Sequence, residues 1–169
     1  MFTGAAVVMG VASCGKTVVG EALAAALGAR YTEGDKLHPA ANVAKMSSGV
    51  PLTDEDRWPW LSLVGQSLRG SGGCITSCSA LKKAYREHIA AEAGRPVAFV
   101  FLEGSRALLQ KRINARKDHF MPPSLLESQF ATLQRPGADE LARAFDVAGP
   151  VANIVAEAKA WLLSLQEQA

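Results

Sequence analysis

Apolar positions in this chain fall into short unbroken runs that alternate with longer stretches of helical spacing. Ala5 to Met9 and Val97 to Leu102 are uninterrupted and rich in β-branched residues, the pattern of strands covered on both faces. Cys74 to Cys78 reads as a third buried strand, and Arg30 to Thr32 and Ala144 to Val147 as shorter ones. Between them the period changes. Val19, Ala22, Leu23, Ala26 and Leu27 share one face of a helix from Thr17 to Leu27, with Gly28 as its natural stop. A short helix fits Pro39 to Ser48 ahead of Gly49, and Thr53 with Asp56 forms a capping box for a helix carrying Trp58, Trp60, Leu61, Val64 and Leu68. Gly70-Ser71-Gly72-Gly73 then breaks the chain. Ser79 is expected to cap a helix through about Ala93, Ser105 to open one to about Arg116, and Ser124 with Glu127 to box the start of another ending near Leu133. The last helix sets Val151, Ile154, Val155, Ala158, Leu162 and Leu165 at helical spacing, a core-packing stripe. Strands alternating with helices predict an α/β fold, a parallel sheet flanked by helices.

Composition narrows the functional classes more than it alters the fold. A chain of 169 residues suits a single domain, and 49% hydrophobic residues with a mean hydropathy of +0.08 describe a soluble globular protein. The longest strongly apolar run is too short to span a bilayer, and the N-terminus has no leader-like pattern, so no membrane partner and a cytoplasmic location are expected. A net charge of +2 without a basic run gives no reason to expect nucleic acid. Three cysteines suggest no disulfide framework. Cys74 and Cys78 share a strand face at roughly 13 Å, too far to bridge or to hold one metal, and read as small core residues.

Chemistry enters at Gly10-Val11-Ala12-Ser13-Cys14-Gly15-Lys16-Thr17, which fits G-x-x-x-x-G-K-[ST] and lies between an expected strand and an expected helix. That context marks a P-loop nucleotide site, in which backbone N–H groups and the helix N-terminus cradle phosphate. Lys16 would reach the outer phosphates and Thr17 would offer its hydroxyl to Mg²⁺. Cys14 lies where helix-terminal charge favours a thiolate, although a small residue at a variable position is the simpler reading. Glu33-Gly34-Asp35-Lys36-Leu37-His38-Pro39 follows the second strand at the sheet edge where ligands bind. Asp35 is the candidate base for phosphoryl transfer, and Glu33 the candidate to hold Mg²⁺ through water. Arg112 and Arg116, four apart on one helix face, suit a clamp on ATP phosphates beneath a closing lid. His38, Arg57, Lys82, Arg86, His119 and Gln129 together describe an acceptor site for a small polyhydroxylated anion.

Longer blocks then become familiar. Gly10 to Thr17, Glu33-Gly34-Asp35-x-Leu37-His38-Pro39, Asn42-x-x-Lys45-Met46-x-x-Gly49-x-Pro51-Leu52-x-Asp54-x-Asp56-Arg57-x-Pro59-Trp60-Leu61, Cys78-Ser79-Ala80-Leu81-Lys82-x-x-Tyr85-Arg86, Ala115-Arg116-Lys117-x-His119-Phe120 and Gln129-Phe130-x-Thr132-Leu133-x-x-Pro136-Gly137-Ala138-Asp139-Glu140 resemble the bacterial-type gluconate kinases. The resemblance runs from about residue 5 to residue 147. It implies a nucleoside-monophosphate-kinase-like sheet with a helical lid at about residues 106–135, use of ATP and Mg²⁺, phosphorylation of D-gluconate on its 6-hydroxyl, and a homodimer. It would make Asp35 the residue that deprotonates that hydroxyl. His38, Arg57, Lys82, Arg86 and Gln129 would line the sugar-acid site, and Arg112, Arg116 and His119 would belong to the lid. Departures are Asp118 where the family has glycine, Arg135 where it has an acidic residue or glutamine, and Ala12-Ser13-Cys14 within the phosphate loop. Ser13 is tolerable there if its φ is negative. Two rivals stay open: another P-loop small-molecule kinase such as shikimate kinase, and an ATP-binding regulator without turnover. A GTPase-like Asp146-x-x-Gly149 stands without the base-reading Asn-Lys-x-Asp that would support it.

Overall fold

Five strands and seven helices follow one another in the computed structural model, which describes residues 1–116 and 123–169. In chain order they are β1 (Ala5–Met9), α1 (Lys16–Leu27), β2 (Arg30–Glu33), a 3₁₀ turn (Gly34–Leu37), α2 (Ala40–Ser47), α3 (Asp54–Gln66), β3 (Cys74–Ser77), α4 (Lys83–Ala93), β4 (Val97–Glu103), α5 (Arg106–Ala115), α6 (Pro123–Thr132), β5 (Ala142–Asp146) and α7 (Val151–Glu167). The strands form one parallel sheet in the order β2-β3-β1-β4-β5.

The unbroken apolar runs of β1 and β4 have a simple cause, because each of these strands feeds two cores. Ala6 and Val8 of β1 with Ala98, Val100 and Leu102 of β4 enter one core, where α1, α5, α6 and α7 add Leu23, Leu109, Leu126 and Leu162. Ala5, Val7 and Met9 with Val97, Phe99 and Phe101 enter the other, covered by Trp60, Leu61 and Val64 of α3 and Tyr85 and Ile89 of α4. Side chains alternate across a strand, so strands covered on both faces, as β1 and β4 are, read as continuous apolar runs. Cys74 and Cys78 both lie in the second core, as their shared face predicts, and all three cysteines are free. The helix α3 runs through Pro59, which removes one backbone hydrogen bond. Its capping box at Thr53 and Asp56 and the burial of its apolar face hold it together.

After β1 the chain moves over β3 to reach β2, and after β3 it crosses β1 to reach β4. Connections therefore leave the carboxyl ends of the neighbouring strands β1 and β3 in opposite directions, which opens between them the crevice where such sheets bind ligands. Three expected boundaries move. Ser79 caps nothing: its carbonyl accepts from the Gly10 N–H at 3.3 Å, Ala80 takes a φ of 46°, and α4 begins at Lys83. Ser124 lies inside α6, which begins at Pro123, a residue lacking the N–H that a first helical turn leaves unpaired. The last strand begins at Ala142 and ends at Asp146. Among the described residues no helix is long and apolar enough to cross a membrane.

Candidate active site

Local geometry builds the phosphate loop where β1 ends. Gly10 has a φ of 149°, and a Cβ there would stand 2.7 Å from Cys14 Sγ and 2.8 Å from the Leu102 carbonyl oxygen. Gly15, at a φ of 95°, precedes the first residue of α1. Ser13 departs from expectation, because its φ is 64°, in the left-handed region that favours glycine. Cys14 is buried, and burial raises its pKa despite the opposing charge of Lys16, so the thiol is a packing group and not a nucleophile. The Lys16 ammonium donates to the Val11 carbonyl at 3.1 Å, folding back across its own loop. Its neighbour Thr17 donates to Glu33 Oε2 at 2.6 Å, so the two residues expected to serve a metal are side by side. Tyr31 hydroxyl also donates to Glu33 Oε2, at 2.9 Å, and burial lifts the Tyr31 pKa to about 12. A hydroxyl and a carboxylate are the hard oxygen donors that Mg²⁺ takes, and they fit that ion.

At the same edge of the sheet, the 3₁₀ turn carries Asp35 exposed at the end of β2. What holds the turn is Trp60, whose Nε1 donates to the Gly34 carbonyl at 2.9 Å. The same indole stacks on His38, with ring centroids 4.0 Å apart and planes 17° from parallel. Burial lowers the His38 pKa, against the raising effect of Asp35, and so favours the neutral ring. Asn42 Nδ2 lies 3.2 Å from His38 Nδ1 and donates to the Asp56 carbonyl at 2.9 Å.

Arg57 and Lys82 do come together, on a residue the candidate list lacked. Asp54 receives Lys82 Nζ at 3.3 Å and Arg57 Nη1 at 3.4 Å, and also the Tyr85 hydroxyl. The Tyr85 hydrogen bond and then Lys82 hold the Asp54 carboxyl below its usual range, and Asp54 raises the Lys82 ammonium in return. Asp54, Tyr85, Trp60 and Asn42 stand in the blocks that carry the family resemblance, Trp60 also on the apolar face of a helix, but no role at the site was read for them. No spacing rule marks the partners of a residue 28 positions away.

Two expected acceptor ligands are placed elsewhere. Arg86 is 2% exposed, and its guanidinium is spent on Glu140 (2.7 Å), the Ala80 carbonyl (2.8 Å) and the Gln134 carbonyl (2.9 Å). Gln129 Oε1 accepts from the Ala12 N–H at 2.6 Å, which puts this residue on the phosphate loop. Arg112 Nη2 donates to the Val147 carbonyl at 2.5 Å, behind the turn that follows β5. Arg116 does not share its helix face, because α5 ends at Ala115 and Arg116 is already extended, with φ −77° and ψ 118°. His119 and Asp118 lie outside the described residues. Arg135 pairs with Glu103 at 2.5 Å, on the rim of a cavity of about 240 Å³ beside Val11, Phe101, Phe130 and Leu133. Asp146 Oδ1 accepts from the Ala148 N–H at 2.8 Å, so the GTPase-like tetrapeptide is a turn that caps itself.

A phosphate loop at the switch point of a parallel sheet, with carboxylates of the β2 end at the same sheet edge, is the arrangement of P-loop kinases. No protein-family model matches the chain. It is 49% identical over 138 residues to the gluconokinase of Gluconobacter oxydans (strain 621H), covering 79% of this chain and 77% of that one. It is 40% identical over 169 residues to the thermosensitive gluconokinase of Escherichia coli (strain K12), covering 95% and 88%. The crystal structure of a gluconokinase from Sinorhizobium meliloti 1021 superimposes with a TM-score of 0.91 at 50% identity, covering 99% of this chain and 95% of that one. The chain belongs to the gluconokinase family.

Proposed function

We propose that this protein transfers the γ-phosphoryl group of ATP to the 6-hydroxyl of D-gluconate. The observation that carries the reading is the position of Asp35, on a turn locked by Trp60 at the carboxyl end of β2, two residues after the Glu33 that receives the Thr17 hydroxyl of the phosphate loop. In this reading the loop N–H groups hold the β- and γ-phosphates, and Lys16 exchanges the Val11 carbonyl for a phosphate oxygen. Thr17 and Glu33 would hold Mg²⁺, which when bound neutralises charge on the bridging phosphates. Asp35 orients the acceptor hydroxyl and takes its proton. Arg57 and Lys82, already gathered on Asp54, supply the positive end of the acceptor site, while neutral His38 offers hydrogen bonding against the Trp60 ring. Arg112 and Arg116 serve the ATP side beneath a lid built from residues 106–135, and Leu109, Ile113 and Leu126 anchor that lid in the first core. Dimerisation follows the family resemblance.

ADP release measured over gluconate, shikimate and nucleoside monophosphates tests the reading. Turnover is expected on gluconate, and Asp35→Asn is expected to keep nucleotide affinity while losing about 10²- to 10⁴-fold in kcat. Turnover on shikimate or a nucleotide alone would overturn it.

A further inference from the structure

Gln129 lies on α6, 117 residues along the chain from the backbone amide it accepts from, and the bond is short at 2.6 Å. Among the described residues no other side chain takes an N–H of the phosphate loop. A backbone N–H at that position requires an oxygen opposite it, so the carboxamide carbonyl faces the loop and its NH₂ points away. Leu126, one helical turn back, is buried in the first core and fixes the height of α6 above the loop.

The next residue supplies the reason such a hold is needed. Ser13 sits at a φ of 64°, where a side chain is disfavoured, and its Oγ is buried without a hydrogen-bond partner among the described residues. Backbone strain of this kind persists only where the surroundings over-determine it. A left-handed residue within a glycine loop is also what turns successive N–H groups toward one point, making an anion cradle. If the Ala12 peptide were released, Ser13 would relax to negative φ and the following N–H groups would swing out of alignment.

We propose that Gln129 is a positioning residue for the nucleotide. Its carbonyl clamps the Ala12 amide, keeps Ser13 left-handed, and so holds the phosphate cradle formed before ATP arrives. Glutamine suits the task because it accepts a hydrogen bond without placing negative charge beside the triphosphate. The role acts through the loop and not on gluconate, and it rests on the reading of the loop as a nucleotide site.

The test uses Mg·ADP binding by calorimetry, which needs no acceptor, together with steady-state kinetics on gluconate. Gln129→Leu is expected to weaken Mg·ADP and raise the KM for ATP by about tenfold, with the gluconate KM nearly unmoved. Gln129→Glu restores the acceptor but adds a charge, so its loss of affinity shrinks as salt rises. In the S13G background, where glycine takes the left-handed turn freely, the loss caused by Q129L is expected to fall below about threefold. Equal losses in both backgrounds would overturn the proposal, as would a rise in the gluconate KM with nucleotide affinity unchanged. Gln129→Met, which keeps the length of the side chain, carries the same comparison if the leucine disturbs α6. A wild-type protein that binds Mg·ADP but does not phosphorylate gluconate would sink the functional reading and leave this one standing.

Discussion

At the scale of single residues, His38 ties acceptor chemistry to stability. Its ring is half-buried on Trp60, and burial, followed by Asp35 acting upward and Arg57 acting downward, leaves its pKa below the ordinary histidine value. The unfolded chain then binds the proton more readily than the folded one. Stability is whole above about pH 6.5 and falls as pH drops from there through the lower folded pKa. His38→Phe keeps the stack and cannot titrate, so urea midpoints measured from pH 7.5 to 5.5 are expected to fall less steeply than in the wild type. Parallel curves would show that the histidine carries none of the slope. The sequence identified His38 as a site residue from its loop, but its charge state depends on an indole 22 positions away.

Among the elements, the 3₁₀ turn shows how closely the acceptor base is fitted to the sheet. A Cβ at Gly34 would stand 2.1 Å from the Ser77 carbonyl oxygen, a backbone atom at the end of β3 that cannot yield as a side chain would. Gly34→Ala is expected to push the turn away from β3, costing about 1–3 kcal/mol. It should also lower kcat sharply because Asp35 moves with it; thermal melts and ADP release check the two effects separately. Local signals worked well for elements whose determinants are local. The capping box at Thr53 and Asp56, the stop at Gly28 and the side-chain cap of Ser105 on the Leu108 N–H all form as read. Ser79 matched the same kind of signal and failed, because the Cys78 N–H donates to the Val8 carbonyl and the Gly10 N–H to the Ser79 carbonyl. Those bonds keep the segment with the sheet, and α4 starts only after it.

For the molecule as a whole, Arg86 links parts that the sequence keeps far apart. From α4 it reaches Glu140, just ahead of β5, and the Gln134 carbonyl, just after α6, and its hydrogen bonds hold the Glu140 carboxyl below its usual range. Removing the guanidinium leaves Glu140 without its charge partner and two carbonyls without donors. Arg86→Met is therefore expected to cost about 3–5 kcal/mol, a fall of about 10 °C in Tm. Calorimetry checks this, and a variant with unchanged Tm and a raised KM for gluconate would return Arg86 to the acceptor site.

The order of strands and helices, the phosphate loop and the position of Asp35 were determined by the sequence alone, because periodicity, caps and a glycine motif are properties of neighbouring residues. Tertiary structure decided what each polar side chain faces. It gathered Arg57, Lys82 and Tyr85 on Asp54, turned Arg86 inward to Glu140, laid Gln129 across the phosphate loop, and set Ser13 at positive φ. Apart from Arg57, three positions from Asp54, each of those side chains meets a partner more than ten positions away, and Ser13 takes a backbone angle that the fold around it imposes. The physical reason is that a buried hydrogen bond is satisfied by whatever the fold brings within about 3 Å, and spacing along the chain does not record that distance.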